Sequence, residues 1–72
     1  MIKSPYKYLV ELEIERSRCK YIYKTYTIDK HTAIELVEYN KTRNWKVGGV
    51  IKATATLKDS RYKVIDKINL LD

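Results

Sequence analysis

Seventy-two residues with one cysteine make a single small domain, residues 1–72, and exclude an internal disulfide and a Cys/His zinc site. Fifteen basic residues against nine acidic leave a net charge of +6, a surplus that attracts polyanions at long range. No apolar run approaches the roughly 18 residues of a membrane span, and Met1 to Pro5 lack the apolar core of an export signal, so the expected compartment is the cytoplasm.

Residues 6–16 alternate. Tyr6, Tyr8, Val10, Leu12 and Ile14 fall on one side, and Lys7, Leu9, Glu11, Glu13 and Glu15 on the other. That is the period of a half-buried strand. A second β-rich run, residues 20–28, follows the break Arg16-Ser17-Arg18-Cys19 and predicts a hairpin. Charge sets its register. With Arg16 opposite Cys19 and Ser17 and Arg18 at the tip, Glu15 faces Lys20, Glu11 faces Lys24 and Leu9 faces Tyr26 on the outer side. Ile14 then meets Tyr21 and Leu12 meets Tyr23 on the inner side. A slip of one residue would place lysines opposite Leu12 and Ile14, and burying a lysine costs far more than a cross-strand ion pair contributes. This register predicts Tyr21 and Tyr23 buried beneath a helix, with Tyr26 facing outward.

The helix comes next, over residues 30–41. Asp29 is a good N-cap, and Thr32 with Glu35 forms a candidate capping box one turn later. Ala33, Leu36, Val37 and Asn40 make its apolar stripe, while His31, Glu35 and Glu38 point away. Alternation returns from Trp45 to Leu57 and predicts a third strand, with Gly48-Gly49 marking a bulge or a close backbone approach. A turn at Asp59-Ser60 would put Leu57 opposite Tyr62 and Ala55 opposite Val64. A fourth strand is expected over residues 61–66, although Val64, Ile65, Ile68 and Leu71 also fit a short helix. The predicted fold is α+β, ββαββ, an antiparallel sheet in the order 2-1-3-4 with one helix on one face.

The open face of such a sheet carries Glu11, Glu13 and Glu15 among Lys20, Lys24 and Lys52, which neutralises it and argues against the base-stacking platform of an RRM. The charge surplus gathers at one end instead. The 2-1-3-4 order brings residues 16–20 and 41–46 together, with six basic residues and no acidic one. Candidate binding residues are Arg16, Arg18, Lys20, Lys41, Arg43, Trp45 and Lys46. Arginines fork onto phosphates or carboxylates, and a tryptophan stacks on a base or anchors a protein contact. The structural alternative is that these cations complement the helix dipole and Trp45 starts a core strand.

Little else carries chemistry. His31 has no neighbouring ligand-type residue and reads as solvated. Cys19 is flanked by basic residues, the surroundings of a reactive thiol, yet no base accompanies it. The glutamate row reads as an ion-paired strand. No catalytic residue, metal or cofactor is therefore expected, and the chain reads as a non-enzymatic binding module. Its expected partner is nucleic acid, a nucleic-acid-handling complex, or an acidic host protein surface. The richness in Lys, Ile, Tyr and Asn, without Phe, has the style of an AT-rich genome. With the small size, it resembles the accessory proteins of phages and other mobile elements, which would act in the host cytoplasm. Two further readings follow: an inhibitor of a host enzyme or defence system that works through an edge strand and a tyrosine-rich surface, and a homodimer made by pairing edge strands.

Overall fold

The chain folds as β1 (Tyr8–Arg16), β2 (Lys20–Thr27), α1 (Lys30–Lys41), β3 (Val50–Asp59) and β4 (Val64–Asn69) in a computed structural model that describes residues 1–71. The four strands form one antiparallel sheet in the order β2-β1-β3-β4, as the sequence predicts. Among the described residues, no helix is long and apolar enough to cross a membrane.

The first hairpin has the register that its charges dictate. Glu15 pairs with Lys20, Glu11 with Lys24, Leu12 with Tyr23 and Ile14 with Tyr21. The Arg16 amide donates to the Cys19 carbonyl at 2.7 Å, which leaves Ser17 and Arg18 as the two-residue tip. The ion pairs themselves run diagonally. Lys20 Nζ reaches Glu13 at 2.9 Å, and Glu11 is held at 3.3 Å by Lys58 on β3 rather than by Lys24. Long lysine stems reach a diagonal neighbour as readily as a direct one.

Helix α1 starts where Asp29 caps it, the carboxylate accepting from the Thr32 amide at 2.7 Å. Glu35 serves no capping box; it pairs with His31 one turn back at 2.7 Å, on an exposed face. Ala33, Val37 and Asn40 are buried and Leu36 is half-buried, the stripe expected from the helical period. The core beneath the helix is Val10, Leu57, Ala33 and Val37, joined by Tyr8, Leu36 and Ile68. A second cluster lies further along the same sheet face: Ile14, Ala53, Ala55 and Leu70, with Leu12, Trp45 and Val50 packed against it.

Several expectations about the strands are corrected. The first strand starts at Tyr8, not Tyr6. The chain turns just before it, with the Tyr6 amide donating to the Lys3 carbonyl at 3.3 Å, and the Tyr6 ring packs on Tyr26 of the opposite face, 5.9 Å away. Ile2 is buried there and donates its amide to the Ser60 carbonyl at 2.7 Å. Leu9, on this face with Tyr26 and Lys58 beside it, is consequently only 1% exposed. The third strand starts at Val50, not Trp45, because Gly48 and Gly49 both take left-handed backbone angles (φ 69° and 76°) that end the extended path. The bulge lies not at the glycines but just past them: Arg16 pairs with Val50 and Glu15 with Lys52, so Ile51 is the extra residue and stands exposed.

The last hairpin is longer than a tight Asp59-Ser60 turn. Asp59 accepts through Oδ1 from the amides of Arg61 (2.8 Å) and Lys63 (3.0 Å), and Tyr62 sits at φ 65°. Those five residues, with a bulge between Leu57 and Lys58, shift the pairing. Leu57 lies opposite Asp66 rather than Tyr62, and Ala55 opposite Ile68 rather than Val64. The run is a strand, not a helix, and it both starts and ends three residues later than the expected 61–66. Past its end, the Leu70 amide donates to the Ala53 carbonyl at 2.8 Å, which draws Leu70 into the second cluster.

Candidate functional site

Twelve helical residues run about 18 Å at about 1.5 Å per residue, whereas the nine residues of β1 extend about 30 Å. The helix therefore roofs the Tyr8 end of β1 and leaves the Arg16 end uncovered. This overturns the expectation for the tyrosines. Tyr21 and Tyr23 do lie on the helix side of the sheet, opposite Ile14 and Leu12, yet they are 44% and 55% exposed because no helix reaches them.

Residues 42–49 fold over this end instead. Thr42 closes the helix, its hydroxyl donating to the Tyr39 carbonyl at 2.7 Å. Trp45 then turns back, and its indole N–H donates to the Asn40 carbonyl at 2.7 Å. The half-buried indole packs against the Ile14 cluster, so Trp45 is a core contact made from a loop, not the first residue of a strand. The far end of the loop is tied to the hairpin, where Arg16 Nη1 donates to the Gly48 carbonyl at 2.7 Å. A Cβ on Gly48 would lie 3.2 Å from that same nitrogen. The glycine supplies both the left-handed turn and the room for the guanidinium.

Between the loop and the hairpin lies a groove of about 670 Å³. Leu12 and Ile14 of β1 form its floor, Tyr21 and Tyr23 of β2 one wall, and Arg43, Asn44 and Trp45 the other, with Arg16, Val47 and Val50 at the end. The tyrosine rings stand 6.3 Å apart and nearly parallel, at 19°. The Arg43 guanidinium lies over the Trp45 ring, 4.7 Å from its centre. The Cys19 thiol bonds the Tyr21 hydroxyl at 3.3 Å. That bond, the neighbouring thiol and burial raise the Tyr21 phenol above its ordinary value against the pull of Arg16, so it is neutral at neutral pH. Among the described residues, no carboxylate lines the groove.

The seven candidate residues separate into three groups. Arg16, Arg43 and Trp45 converge on the groove. Arg18 and Lys46 belong to the same two segments and are exposed, but they do not line it. Among the described residues, no carboxylate pairs with Arg16, Arg18, Arg43 or Lys46. Lys20 and Lys41 are engaged elsewhere. Lys41 pairs with Glu38 at 3.1 Å, and Lys20 points to the opposite sheet face. There its hydrogen bond to Glu13 holds the glutamate below, and the lysine above, their ordinary values. Tyr21, Tyr23 and Asn44 are groove residues that sequence reading does not select. The signal that identifies the tyrosines is the helix length set against the strand length.

Comparison with known proteins supplies no relative: no family model, no curated protein and no solved structure matches this chain.

Proposed function

We propose that this chain is a small non-enzymatic binding module that engages nucleic acid, or a complex that handles it, through the groove at its basic end. One observation carries the reading. Among the described residues, two arginines without carboxylate partners line an aromatic groove that contains no acidic residue. Unpaired guanidiniums beside aromatic faces suit a ligand that repeats a phosphate and a planar ring. Arg18 and Lys46 add positive charge at the same end and would steer association.

Salt dependence tests this directly. Trp45 is the only tryptophan, so its fluorescence reports the groove during titration with polynucleotide at several salt concentrations. Binding should weaken as salt rises. Arg43→Glu and Arg18→Glu should each flatten the log–log slope by about 0.7–0.9 for every phosphate that is no longer neutralised. No salt-dependent binding to any polynucleotide would overturn the reading.

A protein partner is the second reading, favoured by β2. It is an edge strand with every residue but Thr27 exposed, Tyr21, Ile22, Tyr23 and Tyr26 among them. Such an edge can accept an added strand. A stoichiometric complex recovered from host lysate that survives nuclease treatment would favour this reading, and recovery that depends on nucleic acid would favour the first.

A further inference from the structure

We infer that the groove takes a single strand, with an unstacked base against Tyr21 and Tyr23 and its phosphate on Arg16 and Arg43. This rests on the nucleic-acid reading above and narrows it to one substrate class. The first ground is the tyrosine pair. Its near-parallel rings are roughly half exposed and no element packs over them. In a duplex the bases face one another within the stack, and only phosphates and groove edges are offered outward. A ring pair inside a groove is of no use to such a ligand, whereas every unpaired base has a free face.

The second ground is the hydrogen-bonding inventory of the walls. Asn44 spends its Oδ1 on the Lys46 amide at 3.1 Å, which leaves its NH₂ group to donate. Arg16 uses Nη1 on the Gly48 carbonyl and keeps its other N–H groups. The Tyr21 hydroxyl is already engaged with the Cys19 thiol. The Trp45 N–H is already spent on Asn40. What Asn44 and Arg16 keep free is donors, and the Tyr23 hydroxyl is able to donate as well. The matching ligand presents acceptors, as phosphate oxygens and base carbonyls do. An acidic peptide also offers acceptors, but it carries no planar ring beside each charge.

The third ground is size. A groove of about 670 Å³ lies within the roughly 300–1,000 Å³ of sites that enclose one small molecule. It admits a base with its neighbouring phosphate and excludes the body of a double helix.

Four probes at one salt concentration test the inference: an oligothymidine of about twelve nucleotides, within the span of known single-strand modules, its abasic counterpart, a duplex of equal phosphate number, and polyglutamate. The oligothymidine should bind about tenfold or more tighter than the other three, and it alone should quench Trp45. Tyr23→Leu should lower oligothymidine affinity about tenfold while abasic affinity stays unchanged, with a melting curve confirming the fold; Tyr21→Leu serves the same purpose if the first variant does not fold. Equal affinity for thymidine, abasic and duplex strands would overturn base stacking and leave the nucleic-acid reading standing. So would wild-type oligothymidine affinity in folded Tyr23→Leu. Binding to none of the three strands, or preference for polyglutamate, would overturn both readings.

Discussion

Replacing Trp45 with Phe tests whether the loop is docked as described, because it removes one interaction and keeps an aromatic face. The indole N–H donates to the Asn40 carbonyl at 2.7 Å, at the last turn of α1. A net hydrogen bond of this kind contributes about 1 kcal/mol. The same carbonyl also accepts from the Arg43 amide, at a longer 3.4 Å, so the variant does not leave it wholly unsatisfied. Loss of the second ring from the packing against the Ile14 cluster adds a fraction of a core truncation, since Trp45 is only half-buried. A total near 1.5 kcal/mol follows, which for a domain of this length lowers Tm by about 6–12 °C. Thermal unfolding followed by far-ultraviolet circular dichroism measures it, and a urea titration checks that the transition stays cooperative. A Tm indistinguishable from that of the parent would refute the docked indole, and with it the wall of the groove that Arg43 and Asn44 complete.

Gly48→Ala should cost about 1–2 kcal/mol, because φ is +69° and the new Cβ would press on Arg16 Nη1; it should also weaken polynucleotide binding by moving that guanidinium, and an unchanged Tm would place the loop elsewhere. Acid should destabilise the fold through two carboxylates. Asp29 is held below its ordinary value chiefly by the Thr32 amide, and Glu13 chiefly by Lys20. Groups whose pKa is lower in the folded state contribute stability that is present above the unfolded value, about 4, and lost as pH falls through the folded one. Tm should therefore drop between about pH 5 and pH 3, and Asp29→Asn, which still caps, should reduce that slope.

What could be read from the sequence was whatever a large energetic penalty enforces. The hairpin register was legible because its alternative buries lysine, and no compensation for that exists in a core this thin. The helix was legible because Asp29 and the Ala33, Leu36, Val37, Asn40 stripe agree on both start and face. The strand ends were harder, because turn chemistry competes with alternation there. Trp45, Val47 and Gly49 continue the period of the third strand, yet two left-handed glycines end it and the bulge at Ile51 resets the faces. In the last hairpin, Asp59 gathers two amides into a loop wider than the pair Asp59-Ser60 implies, and the register moves with it.

The site was half legible for a reason that links fold to function. Convergence of Arg16 and Arg43 follows from strand order alone: β1 ends where the loop into β3 begins, and the helix delivers the chain to the same end. What those arginines would meet there depends on coverage, and coverage depends on length. A helix about 18 Å long cannot roof a strand about 30 Å long. The uncovered end would expose Ile14 and Ala53 if nothing closed it. Trp45 closes part of it from the loop, using the last helical turn as its anchor. Tyr21 and Tyr23, on the edge strand beyond the loop's reach, are left half-covered. The residues that shield the floor of the groove are thus the ones that supply its aromatic walls. A longer helix would bury both tyrosines and improve the core, and it would leave the arginines on a surface without a groove. On the binding reading, the short helix is what makes the basic end a site.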